Sequence, residues 1–96
     1  MTIISGKLDR NPEFRFAAAG IAMCTLEIRI SATRVIQCIA WESVAEQIAA
    51  DDSYFRSDAS IRVSGYFKER AWIDRQTGEK ITYNQFTIKE VCGRVK

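Results

Sequence analysis

From Ala22 to Ser31 apolar and polar residues alternate, with Met23 as the one apolar residue on the polar side, the period-two signature of a strand with one buried face. Ala22, Cys24, Leu26, Ile28 and Ile30 share the face expected in a core. Met23, Thr25, Glu27, Arg29 and Ser31 share the half-solvated one. Only Ser31-Ala32-Thr33-Arg34 leads from this run into a second, Val35 to Trp41. That spacing is too short for a crossover, so the second run returns as the antiparallel partner of the first. The rest of the chain has to be fitted around this hairpin.

Upstream, Ile3, Ile4 and Leu8 read as a first strand broken by Gly6, and Asn11-Pro12-Glu13 as a turn leading to Phe14-Arg15-Phe16. Downstream, Glu42 to Ala50 places Val44/Ile48 and Ala45/Ala49 at i, i+4, a narrow apolar helical stripe fit to cap a barrel end. Asp51-Asp52-Ser53 and Ser57-Asp58 punctuate a loop around Tyr54 and Phe55. Ile61, Val63, Gly65 and Phe67 then alternate inward, Thr77-Gly78 is a turn, and Phe86, Ile88 and Val91 supply the last inward set. Gly65 in mid-strand marks a tight bend of the kind a small barrel needs. The tally is all-β: five strands with one short helix between strands 3 and 4, in one domain spanning 1–96. That order describes a five-stranded OB-fold barrel, with a small sandwich or an SH3-like barrel as rivals.

Composition closes several functional classes. The 96 residues are 47% hydrophobic and 27% charged, ordinary for a globular fold, and they include no histidine. Without histidine, His-based acid–base chemistry, His-activated nucleophiles and His metal ligands are all excluded. The glycines are scattered, so no phosphate-cradling loop exists. Asp51-Asp52 has no partner at metal-ligand spacing. Cys24, Cys38 and Cys92 form no CxxC pair and are expected to be buried free thiols in a reducing compartment. No signal peptide or membrane-spanning stretch is apparent, which gives a cytoplasmic expectation. We therefore expect no enzyme, no metal and no cofactor. The net charge of +2 is modest, so any electrostatic role must come from local arrangement.

One arrangement stands out. In Tyr66-Phe67-Lys68-Glu69-Arg70-Ala71-Trp72, strand alternation puts Tyr66, Lys68, Arg70 and Trp72 on one face, opposite the inward Phe67. Two cations flanked by two aromatics suit a single-stranded nucleic acid, the cations meeting phosphates and the rings meeting unstacked bases. The same residues would also serve as an exposed hairpin arm with cross-strand aromatic packing and solvated charges. On the third strand Ile36, Cys38 and Ala40 look like the core side, which turns Val35, Gln37, Ile39 and Trp41 outward. Trp41 then fits three roles: a base-stacking platform, part of a subunit interface, or a staple onto the helix that follows.

With these residues laid out, the chain resembles the bacterial single-stranded-DNA-binding protein family. The resemblance is carried by the run Ile3 to Phe16, with its Gly6-Lys7-Leu8, its Asn11-Pro12-Glu13 turn and its Arg15-Phe16 pair. It continues through Gly20, Trp41-Glu42-Ser43-Val44-Ala45-Glu46, Tyr54-Phe55-Arg56 and Ile61 to Phe67. The hairpin Lys68 to Asp74 with Thr77-Gly78-Glu79 completes it. The resemblance implies sequence-nonspecific binding of single-stranded DNA in replication, repair or recombination. It makes Trp72 and Trp41 base-stacking aromatics and Lys68 and Arg70 phosphate contacts; combined with the alternation above, the expected groove centres on Tyr66, Lys68, Arg70, Trp72 and Trp41, with Lys7, Arg34 and Lys80 as peripheral cations. It further implies a homo-oligomer, tetramer or dimer, assembled partly through the first strand.

The departures from the family's pattern point to weaker binding. Val35 and Gln37 stand where the family places an aromatic and a basic residue, and the loop between the second and third strands shrinks to Ser31–Arg34. The family's acidic, partner-recruiting tail is absent from a sequence that stops at the basic stretch Val91 to Lys96, as expected either of a core fragment or of a natural short paralogue that recruits replication partners otherwise. The alternative is a module of the primosomal replication protein N type, an OB-fold dimer related to the same family. Its aromatic face would dock replication or primosome proteins.

Overall fold

The computed structural model describes residues 1–51 and 53–94; Asp52 of the Asp51-Asp52 loop and Val95 and Lys96 of the basic end lie outside the described residues. Among the described residues the strands are β1 (Thr2–Leu8), β2 (Glu13–Phe16), β3 (Ala22–Ser31), β4 (Arg34–Trp41), β5 (Ser60–Ile73) and β6 (Lys80–Arg94). A 3-10 turn spans Ala18–Gly20, and the α-helix, α1, spans Glu42–Ala50 between β4 and β5.

The expected hairpin forms. β3 and β4 pair antiparallel from Met23 opposite Trp41 to Ser31 opposite Arg34. Around it the strands close into a ring in the order β1-β5-β6-β4-β3, with β1 returning to β3. The contact between β4 and β6 is parallel, Cys38 opposite Phe86 and Ala40 opposite Ile88; the other pairings are antiparallel. A near-barrel ring of strands with one helix in this place is consistent with an OB-like fold. Leu8, Ile28, Ile61, Val63 and Phe86 fill its interior and are fully buried. α1 packs against β3, β4 and β6 and buries Ala45 and Ile48, with Val44 partly covered, so the predicted stripe faces the core.

Four expectations need correction. The first strand is two strands: β1 ends at Leu8, and β2 continues along the same neighbour, Glu13 opposite Thr25 and Phe16 opposite Ala22. The break falls in the Asp9–Pro12 segment, where Pro12 has no N–H to give to a ladder, and not at Gly6. Gly6 lies inside β1, at a point where a Cβ would overlap the Arg29 carbonyl oxygen. Ile30 is exposed rather than in the core. The β3–β4 pairing shifts register between Arg29 and Ser31, and the hairpin end runs past the barrel. Phe67 points inward only at the rim: its ring meets the buried Phe86 edge-on at 5.1 Å, yet it is 43% exposed. Beyond it β5 and β6 leave the barrel as an arm.

Gly65 is the bend that the pattern suggested. The β5–β6 register shifts between Ser64 and Gly65, and a Cβ on Gly65 would overlap the Thr87 carbonyl oxygen. Only a residue without a side chain lets the two backbones come this close. At the arm's tip the turn is closed by Gly78 N–H donating to the Asp74 carbonyl at 2.7 Å, with Gly78 at φ +74°.

Candidate nucleic-acid interface

Strand register assembles the outer face one row at a time. Thr25 lies opposite Ile39, Ile39 opposite Thr87, and Thr87 opposite Tyr66, a continuous row across β3, β4, β6 and β5. On one side of it runs Met23 opposite Trp41, with Lys89 one step beyond the Ala40–Ile88 pair. On the other side run Glu27 opposite Gln37 and Gln85 opposite Lys68. Further along the arm Tyr83 faces Arg70 and Ile81 faces Trp72. Trp41, Tyr66, Lys68, Arg70 and Trp72 are thereby brought to one side of the sheet.

The exposure of these side chains suits contact with a partner. Trp72 is 51% exposed, and Tyr66 and Tyr83 are exposed as well. Trp41 is half-buried and stands at the entry to α1, where Glu42 takes a left-handed φ of +54° and turns the chain out of β4. Its side chain makes no capping hydrogen bond to the helix. Lys68, Arg70 and Lys89 form no ion pair among the described residues. Lys89 instead holds its Nζ 5.5 Å from the centroid of the Tyr66 ring, a cation–π contact. Glu69 shares a strand with these cations, but alternation sends it to the opposite face.

A groove of about 250 Å³ crosses the β3–β4–β6 part of this face. Thr25, Glu27, Gln37 and Gln85 line it, and it ends against Arg10 and Glu13. A larger hollow of about 440 Å³ lies elsewhere, beneath α1, lined by Pro12, Phe14, Ile48, Ala49, Phe55 and Arg56. None of the candidate aromatics or cations reaches it.

The remaining expected cations are not brought to this face. Lys7 stands on β1 opposite Arg29 and Ser60, and the ring order separates β1 from β4 and from β6 by a strand on each side. Arg34 sits at the end of the β3–β4 hairpin. Lys80 pairs with Ile73, on the side of the arm opposite Trp72. The expected apolar outer surface of β4 is also smaller than its residues suggested: Ile39 faces outward by register yet is only 5% exposed, leaving Val35 as the exposed member.

Three residues of the face went unrecognised: Tyr83, Thr87 and Lys89. The signal was present, because fixing Phe86 and Ile88 inward turns Tyr83, Thr87 and Lys89 outward, up to the register shift beyond Ile88 that returns Val91 to the core side. Among the described residues two side-chain polar atoms are buried without a hydrogen-bond partner, Arg70 Nε and Thr87 Oγ1.

Chemistry of the nucleophilic or metal-binding kind finds no support in the cysteines. Burial pushes the Cys24 thiol up to about 11 and the Cys38 thiol up to about 12, so both remain protonated and inert at neutral pH. Cys92 is free like the other two, but it is exposed, against the expectation of burial. Among the described residues no group of three or more acidic or thiol side chains is placed to hold a metal ion. Among the same residues, no helix is long and apolar enough to cross a membrane.

No family model matches the chain. The chain is similar to the single-stranded DNA-binding protein of Borreliella burgdorferi, 26% identical over 89 residues. The match takes in 81% of this chain and 58% of that protein, so this chain spans well under two thirds of its relative's length. The distant match bears out the resemblance to single-stranded DNA-binding proteins.

Proposed function

We propose that this chain is an OB-fold module that binds single-stranded DNA without marked sequence preference, by base stacking and phosphate contact on the outer face of β4, β5 and β6. The observation that carries the proposal is the coincidence on one face of exposed rings, Trp72, Tyr66 and Tyr83, with cations, Lys68, Arg70 and Lys89, that form no ion pair among the described residues. Each stacked base is typically worth about 1–3 kcal/mol, and every base offers a π-face, so the mode tolerates sequence. Trp41 extends the platform at the β4 end. Lys7, Arg34 and Lys80 are peripheral cations outside that face. The similarity to a single-stranded DNA-binding protein supports the same reading, and with it a cytoplasmic role in replication, repair or recombination. The mechanism is binding without turnover.

Self-association belongs to the same proposal. Ile3 is exposed on the outer side of β1, away from the candidate face, and supports assembly of a dimer or tetramer through that strand. The protein-docking alternative, of the primosomal type, relied on an apolar outer surface of β4. Burial of Ile39 reduces that surface and favours the DNA reading.

Titrating the protein with oligo-dT while following tryptophan fluorescence tests the proposal. Quenching is expected at micromolar protein and low salt, with log K falling against log salt by about 0.7 per phosphate neutralised. An unquenched signal, or binding indifferent to salt, overturns it.

A further inference from the structure

The groove across β3, β4 and β6 lies on the candidate face, yet its lining does not suit a phosphate. Among the described residues its one cation is Arg10, whose Nε lies 3.3 Å from Oε2 of Glu27, and Glu13 stands at the same end. Two carboxylates against one guanidinium leave the lining net negative. What the groove offers instead is a pair of amides. Gln37 is exposed and Gln85 half-buried, and they stand one step before Cys38 and Phe86, which pair across β4 and β6. The two side chains are thus neighbours on adjacent strands, and both line the groove. Among the described residues neither makes a side-chain hydrogen bond. At about 250 Å³ the space falls below the roughly 300–1,000 Å³ of a drug-sized site, a scale for one flat ring system.

Resting on the single-strand reading above, we infer that this groove is a base pocket in which Gln37, Gln85 and Glu27 favour a base with an exocyclic amino group, cytosine over thymine. Lys68, opposite Gln85 at the groove's far end from Arg10, holds the phosphate while the base turns inward. A carboxamide both donates and accepts, so Gln37 and Gln85 can meet the edge of any base. Glu27 breaks that tie. A carboxylate only accepts, and with Arg10 on Oε2 its Oε1 is left for an incoming N–H. The N4 amino group of cytosine supplies one, whereas thymine presents the O4 oxygen and a methyl group in its place. Stacking on Tyr66 and Trp72 remains indifferent to sequence, and the groove adds one point of preference to it.

Cytosine and thymine have the same ring size, so comparing oligo-dC with oligo-dT isolates the edge contacts. Gln37→Met with Gln85→Met keeps side-chain length and removes the amides; Glu27→Met removes the acceptor and frees Arg10. Affinities of the wild type and both variants are measured at fixed salt and neutral pH, alongside denaturant midpoints without DNA. The wild type is expected to bind oligo-dC about five- to ten-fold more tightly than oligo-dT, the low end of what one bidentate base contact discriminates. The double variant is expected to bring the two affinities together with the salt slope and midpoint unchanged. Glu27→Met is expected to lose the preference too, with a steeper salt slope from the freed Arg10. Equal wild-type affinities, or tighter binding of oligo-dT, overturn the inference and leave the DNA reading intact. So does a preference that survives in either variant, or one lost only together with a markedly lower midpoint in both. A wild type that binds neither oligonucleotide overturns the DNA reading first and this inference with it.

Discussion

Over β1–β3, Arg10 lies 3.3 Å from Glu27, Arg29 reaches Asp9 at 2.8 Å, and Arg15 pairs with Glu13. Over β5–β6, Lys68, Arg70 and Lys89 have no carboxylate partner among the described residues, and Lys89 lies against a tyrosine ring instead. Both regions also expose aromatics, Phe16 on β2 and Trp72 on β5. The two regions meet on the row that runs from Glu27 through Gln37 and Gln85 to Lys68, and composition alone does not separate them; pairing does. A cation already matched with a carboxylate has less to offer a phosphate, since binding must first break the pair. An unmatched one gives its full counterion release. A net charge of +2 therefore understates what one face can do.

The largest expected effect comes from the aromatics. Trp72→Ala is expected to weaken oligo-dT binding by about 1–3 kcal/mol and leave the denaturant midpoint unchanged, because half of the ring already stands in water. Phe16→Ala, on the other surface and 66% exposed, is expected to leave DNA affinity as it was. Comparable losses from both, read by fluorescence or anisotropy titration, would erase the distinction between the regions.

The cations come next. Lys68→Gln and Lys89→Gln together are expected to lower the slope of log K against log salt by about 1.4, at about 0.7 per phosphate. At 0.1 M salt that amounts to about five-fold in affinity for each residue. Arg10→Gln with Arg29→Gln is expected to leave the slope in place. A slope that falls equally in both double variants means that the ion pairs open on binding and that the static difference is not the functional one.

Stability should show the reverse pattern on a smaller scale. Arg29 donates through Nε to Asp9, across the point where β1 meets β3. Exposed pairs of this kind contribute about 0.2–1 kcal/mol, so Arg29→Gln is expected to lower the urea midpoint slightly. Lys68→Gln is expected not to lower it.

How much of this was legible beforehand follows from which physical rule governed each element. The β3–β4 hairpin and the helix after it could be read directly, because period two and the i, i+4 stripe are local properties of Ala22 to Ala50. Gly65 was readable as a bend, though its cause, the Thr87 carbonyl pressing on it, is a contact between strands distant in sequence. The split of the first strand was missed because Pro12 looked like a turn within one element, whereas the pairing of β1 and β2 with the same neighbour is decided by tertiary register. The ring Tyr66 to Trp72 was legible by alternation; Lys89 was legible by the same rule applied to β6 and was overlooked because that strand carries no aromatic-basic cluster. Ile39 was misjudged since alternation gives the direction of a side chain and not what covers it. The pairing of Arg10 and Arg29, which distinguishes the two surfaces, depends on Glu27 and Asp9 meeting them across strands, and no local pattern announces that.

Beneath the surfaces the two regions share one interior, and the buried thiols report on it. Cys24 lies on β3 and Cys38 on β4, one on each arm of the hairpin, and both face the core. In the native state at pH 8 only the exposed Cys92 is expected to react with a thiol reagent. As denaturant rises, Cys24 and Cys38 should become reactive at the same concentration, whatever substitution the outer face carries. The alkaline limb of stability tests the same point. Burial raises both thiols from the usual value near 9, to about 11 and about 12. The folded chain thus holds protons that the unfolded chain releases, and the unfolded state is favoured as they leave it. The stability these thiols support is therefore fully present below pH 9 and declines as pH rises from 9 through 11 and toward 12. Cys24→Ala and Cys38→Ala should each flatten that decline relative to the wild type. If Cys24 became reactive well before Cys38, the β1–β3 side would open separately from the rest, and the two surfaces would differ in local stability as well as in charge pairing.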